Sequence, residues 1–196
     1  DLAGIDLVVG AKGSPIQLIL AGVFHIDVPT GNIALADVRA LAAKPQVAQV
    51  IPLSLGDSFR SFRIVGTTPD YLAHYGMRVA QGQAWSGPMQ AVVGAHAAER
   101  AGLAVGMAFM GSHGLGAGGH THGDTPYRVT GVLAPCGCVV DRLIVTATES
   151  VWQVHEKTMA MDEDDRRALE AAREVTVALV RYKSPLAAAS FPRYVN

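Results

Sequence analysis

Between Gly111 and Asp124 the chain packs six glycines and three of its seven histidines into fourteen residues. No stretch constrains the fold more. Glycine in an element interior loses the most backbone freedom on folding, so this run forms neither helix nor strand. Residues 107–111 and 127–133 on either side read as ordinary strands. The run is therefore expected to be a flexible loop held between rigid elements.

Imidazoles gathered on such a loop form a ligand pattern for a transition metal. His120 and His122 make an H-x-H pair, His113 can fold back across the glycines, and Asp124 supplies a fourth, oxygen ligand. Zinc, copper and nickel all suit that set. Ordering the loop costs roughly 1–2 kcal/mol per residue of backbone entropy, so the binding expected is transient rather than structural. A polar loop that binds nothing is the other reading. The run also fits G-x-G-x-x-G from Gly114 to Gly119, but the following residues 121–126 are no helix, which a dinucleotide loop requires.

The 196 residues allow one or two domains, and with 49% hydrophobic residues a substantial core can be buried. A formal net charge of −1, with acids and bases mixed, argues against nucleic acid as a partner. No apolar run approaches the roughly 18 residues that span a bilayer. Residues 7–24 come nearest and are broken by Lys12, Gly13, Pro15 and Gln17. The opening residues lack the basic segment of a signal peptide, and the chain reads as a piece of something longer. Cys136 and Cys138 sit two apart. Small residues near a turn, a labile disulfide and additional metal ligands all fit that spacing, a bond across it being strained.

Residues 5–9 read as a buried strand. Ser14-Pro15 then caps a helix running to about Phe24. Leu35, Val38, Leu41 and Ala42 have helical spacing, and Pro45 ends that helix. Residues 46–54 and 59–65 read as two strands joined by a turn at Gly56-Asp57. A short helix over 69–75 closes at Gly76. A small hairpin is expected around Gly82, and a strand over 90–93. Gly94 opens a helix over 95–101. Strands at 142–147 and 175–182 bracket helices over 149–156 and beyond the acidic run 162–165. That run suits a helix N-terminus, and it lacks the glycine spacing of a calcium loop. Ser184-Pro185 opens a last helix. The order predicts an α+β fold: a mixed domain from both chain ends, with a β-rich module inserted between.

The same segments resemble the periplasmic domain of MacB/FtsX-type ABC transporter permeases. Val65-Gly66-Thr67-Thr68-Pro69-Asp70-Tyr71-Leu72 matches that family's V-x-G-x-x-P-D-Y-F/L entry to its inserted module. Gly82-Gln83-Ala84-Trp85 matches its E-G-R-x-F turn. Ala91-Val92-Val93-Gly94, with residues 97–103 and Val105-Gly106, matches its V-A-V-L-G segment. Tyr127-Arg128-Val129-Thr130-Gly131-Val132-Leu133 matches F-x-V-V-G-V-L, and residues 142–151 match a further strand and helix start. Each motif alone is strand-and-turn grammar. Their order and spacing, covering nearly the whole chain, carry the resemblance.

The resemblance implies a porter-like α/β subdomain over 1–66 and 150–196, and a β-rich, Sabre-like subdomain over 67–149. It implies one transmembrane helix before the domain and three after it. The setting would be the bacterial inner membrane, with this domain on the periplasmic side. The function implied is non-catalytic: coupling cytoplasmic ATP hydrolysis to movement or release of a substrate or partner. The partners implied are an ABC ATPase subunit, a second permease copy and a periplasmic adaptor or lipoprotein. No cofactor is required. The histidine loop departs from the family's short turn and resembles a zinc-linked subgroup of these permeases. There His113, His120, His122 and Asp124 would take Zn²⁺, the alternative function being zinc binding or delivery.

Other candidates are weaker. Gly56-Asp57-Ser58 has no G-x-S-x-G elbow, so a turn role is expected. His25, His74, His96 and His155 are isolated. Asp57, Arg60, Arg63 and Asp141-Arg142 read either as polar contacts at the subdomain junction or as solvated surface. Tyr71, Tyr75 and Trp85 read as core packing.

Overall fold

The computed structural model describes residues 4–113, 125–156 and 162–195, apart from the side chains of His113 and His155. The chain divides into two compact units, residues 1–53 with 167–196, and residues 54–166. The sequence places the crossings later on the way out and earlier on the way back, at 66 and 150. Strand pairing accounts for the observed points: residues 47–53 pair with the C-terminal strand, and residues 62–67 pair within the middle of the chain.

The first unit begins with β1 (Leu7–Gly10), α1 (Pro15–Gly22), β2 (Ile33–Ala34), α2 (Leu35–Ala42) and β3 (Val47–Leu53). Helix α1 starts where the sequence says it must. Pro15 occupies the first turn, where no intrahelical N–H partner is lost, and the Ser14 hydroxyl accepts from the Gln17 N–H.

The second unit holds β4 (Asp57–Phe59), β5 (Phe62–Thr67), α3 (Pro69–His74), β6 (Val79–Gly82), β7 (Gln90–Val93) and α4 (Ala95–Ala101). It continues with β8 (Ala108–Phe109), β9 (Ser112–His113), β10 (Tyr127–Leu133), β11 (Leu143–Ala147) and α5 (Thr148–Glu156). Helix α6 (Glu163–Ala171) spans the division. The chain returns to the first unit with β12 (Glu174–Val175), β13 (Val177–Tyr182), a 3₁₀ turn at Pro185–Ala189 and α7 (Pro192–Val195).

In the first unit β13 is the central strand of an antiparallel sheet ordered β1-β13-β3. Val177, Ala178, Leu179 and Val180 are buried in succession, as expected of a strand covered on both faces. Val47, Val180, Ala187 and Phe191 form one core cluster, with Leu41 and Tyr182 against it. The long apolar run read as one strand over 175–182 is split. Val175, with Glu174 before it, pairs with β2, and Val177–Tyr182 pairs with β1 and β3.

The second unit is a mixed sheet ordered β6-β10-β7-β11-β5-β4-β9, with β8 also paired to β10. Strand β11 lies parallel to β5 and antiparallel to β7, and all five of its residues are buried. Residues 108–113 pair with β10 through β8 and with β4 through β9, so one stretch of chain links the two ends of this sheet. The alanines of α4 pack on Ile64, Val93, Val129 and Ile144. Gly94 is required at the start of that helix, because a Cβ there would collide with the Val140 carbonyl oxygen.

Three local readings are corrected. Asp57 lies in strand β4 rather than in a turn at Gly56-Asp57, and the strand expected over 59–65 is interrupted by a turn at Arg60-Ser61, both with positive φ (48° and 68°). Residues 77–85 form no hairpin of their own; β6 pairs with β10. His113 is in strand β9 and not in a loop, because its backbone pairs opposite Asp57.

Candidate functional site

The residues the sequence singles out fall in three places. The first is the root of the histidine run. Ser112 and His113 lie opposite Ser58 and Asp57 on β4, and the Ser112 hydroxyl donates to the Ser58 carbonyl oxygen at 3.3 Å. The chain re-enters the described structure just before Tyr127 on β10. His120, His122 and Asp124 lie outside the described residues, as do Gly114 to Gly119. Among the described residues no group of three His, Cys, Asp or Glu side chains could hold a metal ion.

Beside that root, Asp57, Ser58, Arg63 and Tyr127 are all buried. Asp57 and Arg63 are thus not solvated surface; both belong to the second unit. Burial, and then the charge of Asp57, push the Tyr127 phenol far above its ordinary range. At neutral pH the phenol is uncharged, a donor rather than a base. Phe109 stacks on the Tyr127 ring at 5.2 Å and meets Phe59 at 5.0 Å, sealing the group with aromatic surface. Arg60 lies 5.2 Å over the Phe59 ring and donates to the Ala101 carbonyl oxygen at 2.7 Å. Ser58 sits in a strand, with no nucleophile elbow around it. The set is a buried polar cluster beside the paired strands β4 and β9 and the start of β10.

The second place is the connection from β10 to β11. Cys136 and Cys138 are joined in a disulfide, which selects one of the readings open to the sequence. Asp141 shapes this connection: its carboxylate accepts from the Cys136 N–H at 2.9 Å and from the Gly137 N–H at 2.8 Å. The sequence gives no sign of that role beyond a nearby acid.

The third place is in the first unit. Two clefts of about 380 Å³ and 430 Å³ share Val9, Gly10, Ala11, Lys12 and Val195 in their walls. Both are shaped by the β1–α1 connection, and the second adds Asp37 and Lys44.

The remaining candidates make ring contacts or are buried. His96 meets Phe62 edge-on at 6.1 Å, and His74 meets Tyr75 at 5.1 Å. His25 is buried with a φ of 55°. Tyr71 is fully buried, 5.0 Å from the Tyr75 ring, and burial pushes its phenol well upward. Both tyrosines are packing, as the sequence suggests, and Trp85 is half-buried.

No described constellation sets a nucleophile against a base in an open cleft. The family model for the MacB-like periplasmic core domain matches residues 7–190. The chain belongs to that family. Its fold is similar to the periplasmic region of MacB from Actinobacillus actinomycetemcomitans, with a TM-score of 0.58 at 13% identity. That match covers 100% of this chain and 84% of the MacB chain. It is also similar to the extracellular domain of the noncanonic ABC-type transporter YknZ from Gram-positive bacteria. There the TM-score is 0.53 at 13% identity, over 93% of this chain and 86% of YknZ's. No curated protein matches the sequence. The MacB-like assignment agrees with the motif order, and the mixed α/β architecture agrees with the α+β expectation. Among the described residues no helix is long and apolar enough to cross a membrane.

Proposed function

We propose that this MacB-like core is a non-catalytic extracytoplasmic relay in an ABC permease. It passes motion driven by a cytoplasmic ATPase to a substrate or partner outside the membrane. The observation that carries the proposal is the family match across residues 7–190. The way the chain ends are anchored supplies a physical route. Strand β1 near one end and β13 near the other pair along four residues, from Leu7 opposite Val180 to Gly10 opposite Val177. The Asp6 N–H donates to the Val180 carbonyl oxygen at 3.0 Å, and the Asp6 carboxylate accepts from the Tyr182 N–H at 2.7 Å. Membrane segments attached at either end would thus act on one hydrogen-bonded sheet. A pull or rotation arrives at β13 as a rigid-body displacement, since packed strands shift as units.

On this reading the partners are an ABC ATPase, a second permease copy and an extracytoplasmic adaptor or lipoprotein. The domain lies on the outer side of the cytoplasmic membrane. The test is a full-length permease with this domain replaced by a short linker, assembled with its ATPase in proteoliposomes. ATP hydrolysis should persist while movement or release of cargo is lost. Cargo movement at the intact rate would overturn the proposal. A Zn²⁺ role for His113, His120, His122 and Asp124 remains a separate proposal, carried by the sequence pattern.

A further inference from the structure

A disulfide that stabilises a fold usually ties distant parts of the chain, because its effect grows with the loop it closes. Cys136–Cys138 closes a ring around Gly137 alone. It lies within the connection between β10 and β11 and ties no two elements together. Its contribution to the fold is therefore small, and another role must be sought in its surroundings.

The connection holds its shape by other means. The two oxygens of Asp141 accept from the Cys136 and Gly137 N–H groups, and the Asp141 N–H donates to the Cys138 carbonyl oxygen at 3.2 Å. Gly137 has a φ of 67°, the left-handed turn that glycine adopts without strain. Val140, fully buried, anchors the segment in the second unit. Opening the S–S bond would leave these contacts in place, with the two sulfurs still neighbours.

Access is unequal. Cys136 is exposed and Cys138 is half-buried. The Cys138 N–H points at Cys136 Sγ from 3.2 Å and favours negative charge on that sulfur. Asp141 Oδ1, 3.4 Å from the same sulfur, opposes it. Among the described residues no third ligand turns the pair into a metal site.

We propose that Cys136–Cys138 is a thiol–disulfide exchange site, opened by an incoming thiol and re-formed on the same turn. A thiolate R–S⁻ attacks the exposed Cys136 Sγ. The Cys136–Cys138 bond breaks, and Cys138 leaves as thiolate and takes a proton from water. A second R–S⁻ then attacks the R sulfur of the mixed disulfide. R–S–S–R forms, and Cys136 leaves as thiolate beside the Cys138 N–H. Two thiols are oxidised and one disulfide is reduced. Run backwards, the site reduces an incoming disulfide. The inference does not depend on the relay reading.

The test uses the purified 196-residue chain, folded and without denaturant, equilibrated in glutathione buffers of graded ratio. Free thiols are trapped with a maleimide and counted by mass, with circular dichroism confirming the fold. A parallel arm replaces glutathione with a reduced Cys-X-X-Cys oxidoreductase. Reversible opening in the glutathione arm assigns a small thiol as a competent partner; opening only in the second arm assigns a protein dithiol. In Cys138→Ser, oxidised glutathione should label Cys136 at least tenfold faster than it labels Cys138 in Cys136→Ser. Three results would overturn the proposal: a bond that neither reductant opens in the folded chain, cysteines that stay as thiols in oxidised glutathione, or equal labelling rates in the two variants. The wild-type chain alone decides the first two, should either variant fail to fold.

Discussion

In the second unit β11 is buried at every position, whereas β1 in the first unit is half-buried at all four. The exposed apolar side chains divide the same way. Ile16, Ile26, Val28, Leu186 and Tyr194 of the first unit are between 63% and 84% exposed, while in the second only Val105 and Met107 pass 40% among the described large apolar residues. The reason is local. Helix α4 presents alanines that let it lie close on Ile64, Val93 and Ile144, so the second unit seals its own sheet. Helix α1 and the residues after it leave Ile16, Phe24, Ile26 and Val28 in solvent. The unit that receives both chain ends is thus also the one with apolar surface to spare. The inserted unit is complete in itself.

The sharpest test of that contrast is paired core truncation. Ile144→Ala in the second unit and Leu179→Ala in the first should each cost about 2–5 kcal/mol, since both side chains are fully buried. Both tryptophans, Trp85 and Trp152, lie in the second unit. Urea unfolding followed by tryptophan fluorescence should therefore shift strongly for Ile144→Ala. For Leu179→Ala the far-ultraviolet circular dichroism should fall before the fluorescence does. Coincident transitions in both variants would break the comparison and make the chain one cooperative unit.

A smaller effect is expected at Gly94. Alanine there must displace the Val140–Asp141 backbone, and overpacking of this kind costs about 1–3 kcal/mol. A loss under about 0.5 kcal/mol in thermal unfolding, the ordinary range of surface changes, would show that α4 does not need its close approach.

Alkaline pH probes the buried Tyr127 phenol at the root of the histidine run. Burial and the Asp57 charge raise the folded-state value of Tyr127 above the unfolded value near 10. The stabilisation it gives is fully present below that unfolded value and is lost as pH rises toward the folded one. Tyr127→Phe should make the decline of stability above about pH 10 shallower by up to one proton. An identical slope in both proteins would mean the phenol is not held neutral by its surroundings.

The smallest structural effect belongs to the histidines. His120→Ala with His122→Ala should change stability by less than about 0.5 kcal/mol while abolishing weak Zn²⁺ binding in calorimetry. Binding by the wild type should fade as pH drops through about 6.5, because imidazole must be neutral to ligate. Equal affinity in the wild type and the double variant would leave a polar loop and no metal site.

What could be read in advance follows from how local each signal is. Helices α1, α2 and α4 carry their own start signals in Ser14-Pro15, the Leu35–Val38–Leu41 spacing and Gly94, and the structure places them there. Strands β7 and β10 are bounded by turn residues and were equally legible. Pairing was not. That β5 lies beside β11 rather than β3 is decided by contacts some eighty residues apart, which no local pattern encodes. The turn at Arg60-Ser61 escaped because neither residue is a glycine or asparagine, the usual occupants of positive φ. At the site, the cysteine spacing admitted a disulfide, but the Asp141 clamp on its backbone depends on a 3₁₀ turn at Val139–Arg142 that brings the carboxylate back.

The central claim is that ATP-driven motion reaches this domain through the sheet that joins its two ends. Hydrogen–deuterium exchange on the intact permease with its ATPase, nucleotide-free and with a non-hydrolysable ATP analogue, tests it most directly. The account predicts a change in amide protection within β1 and β13, at Leu7–Gly10 and Val177–Tyr182, with β11 of the second unit unchanged. Identical exchange across β1 and β13 in the two nucleotide states would contradict it.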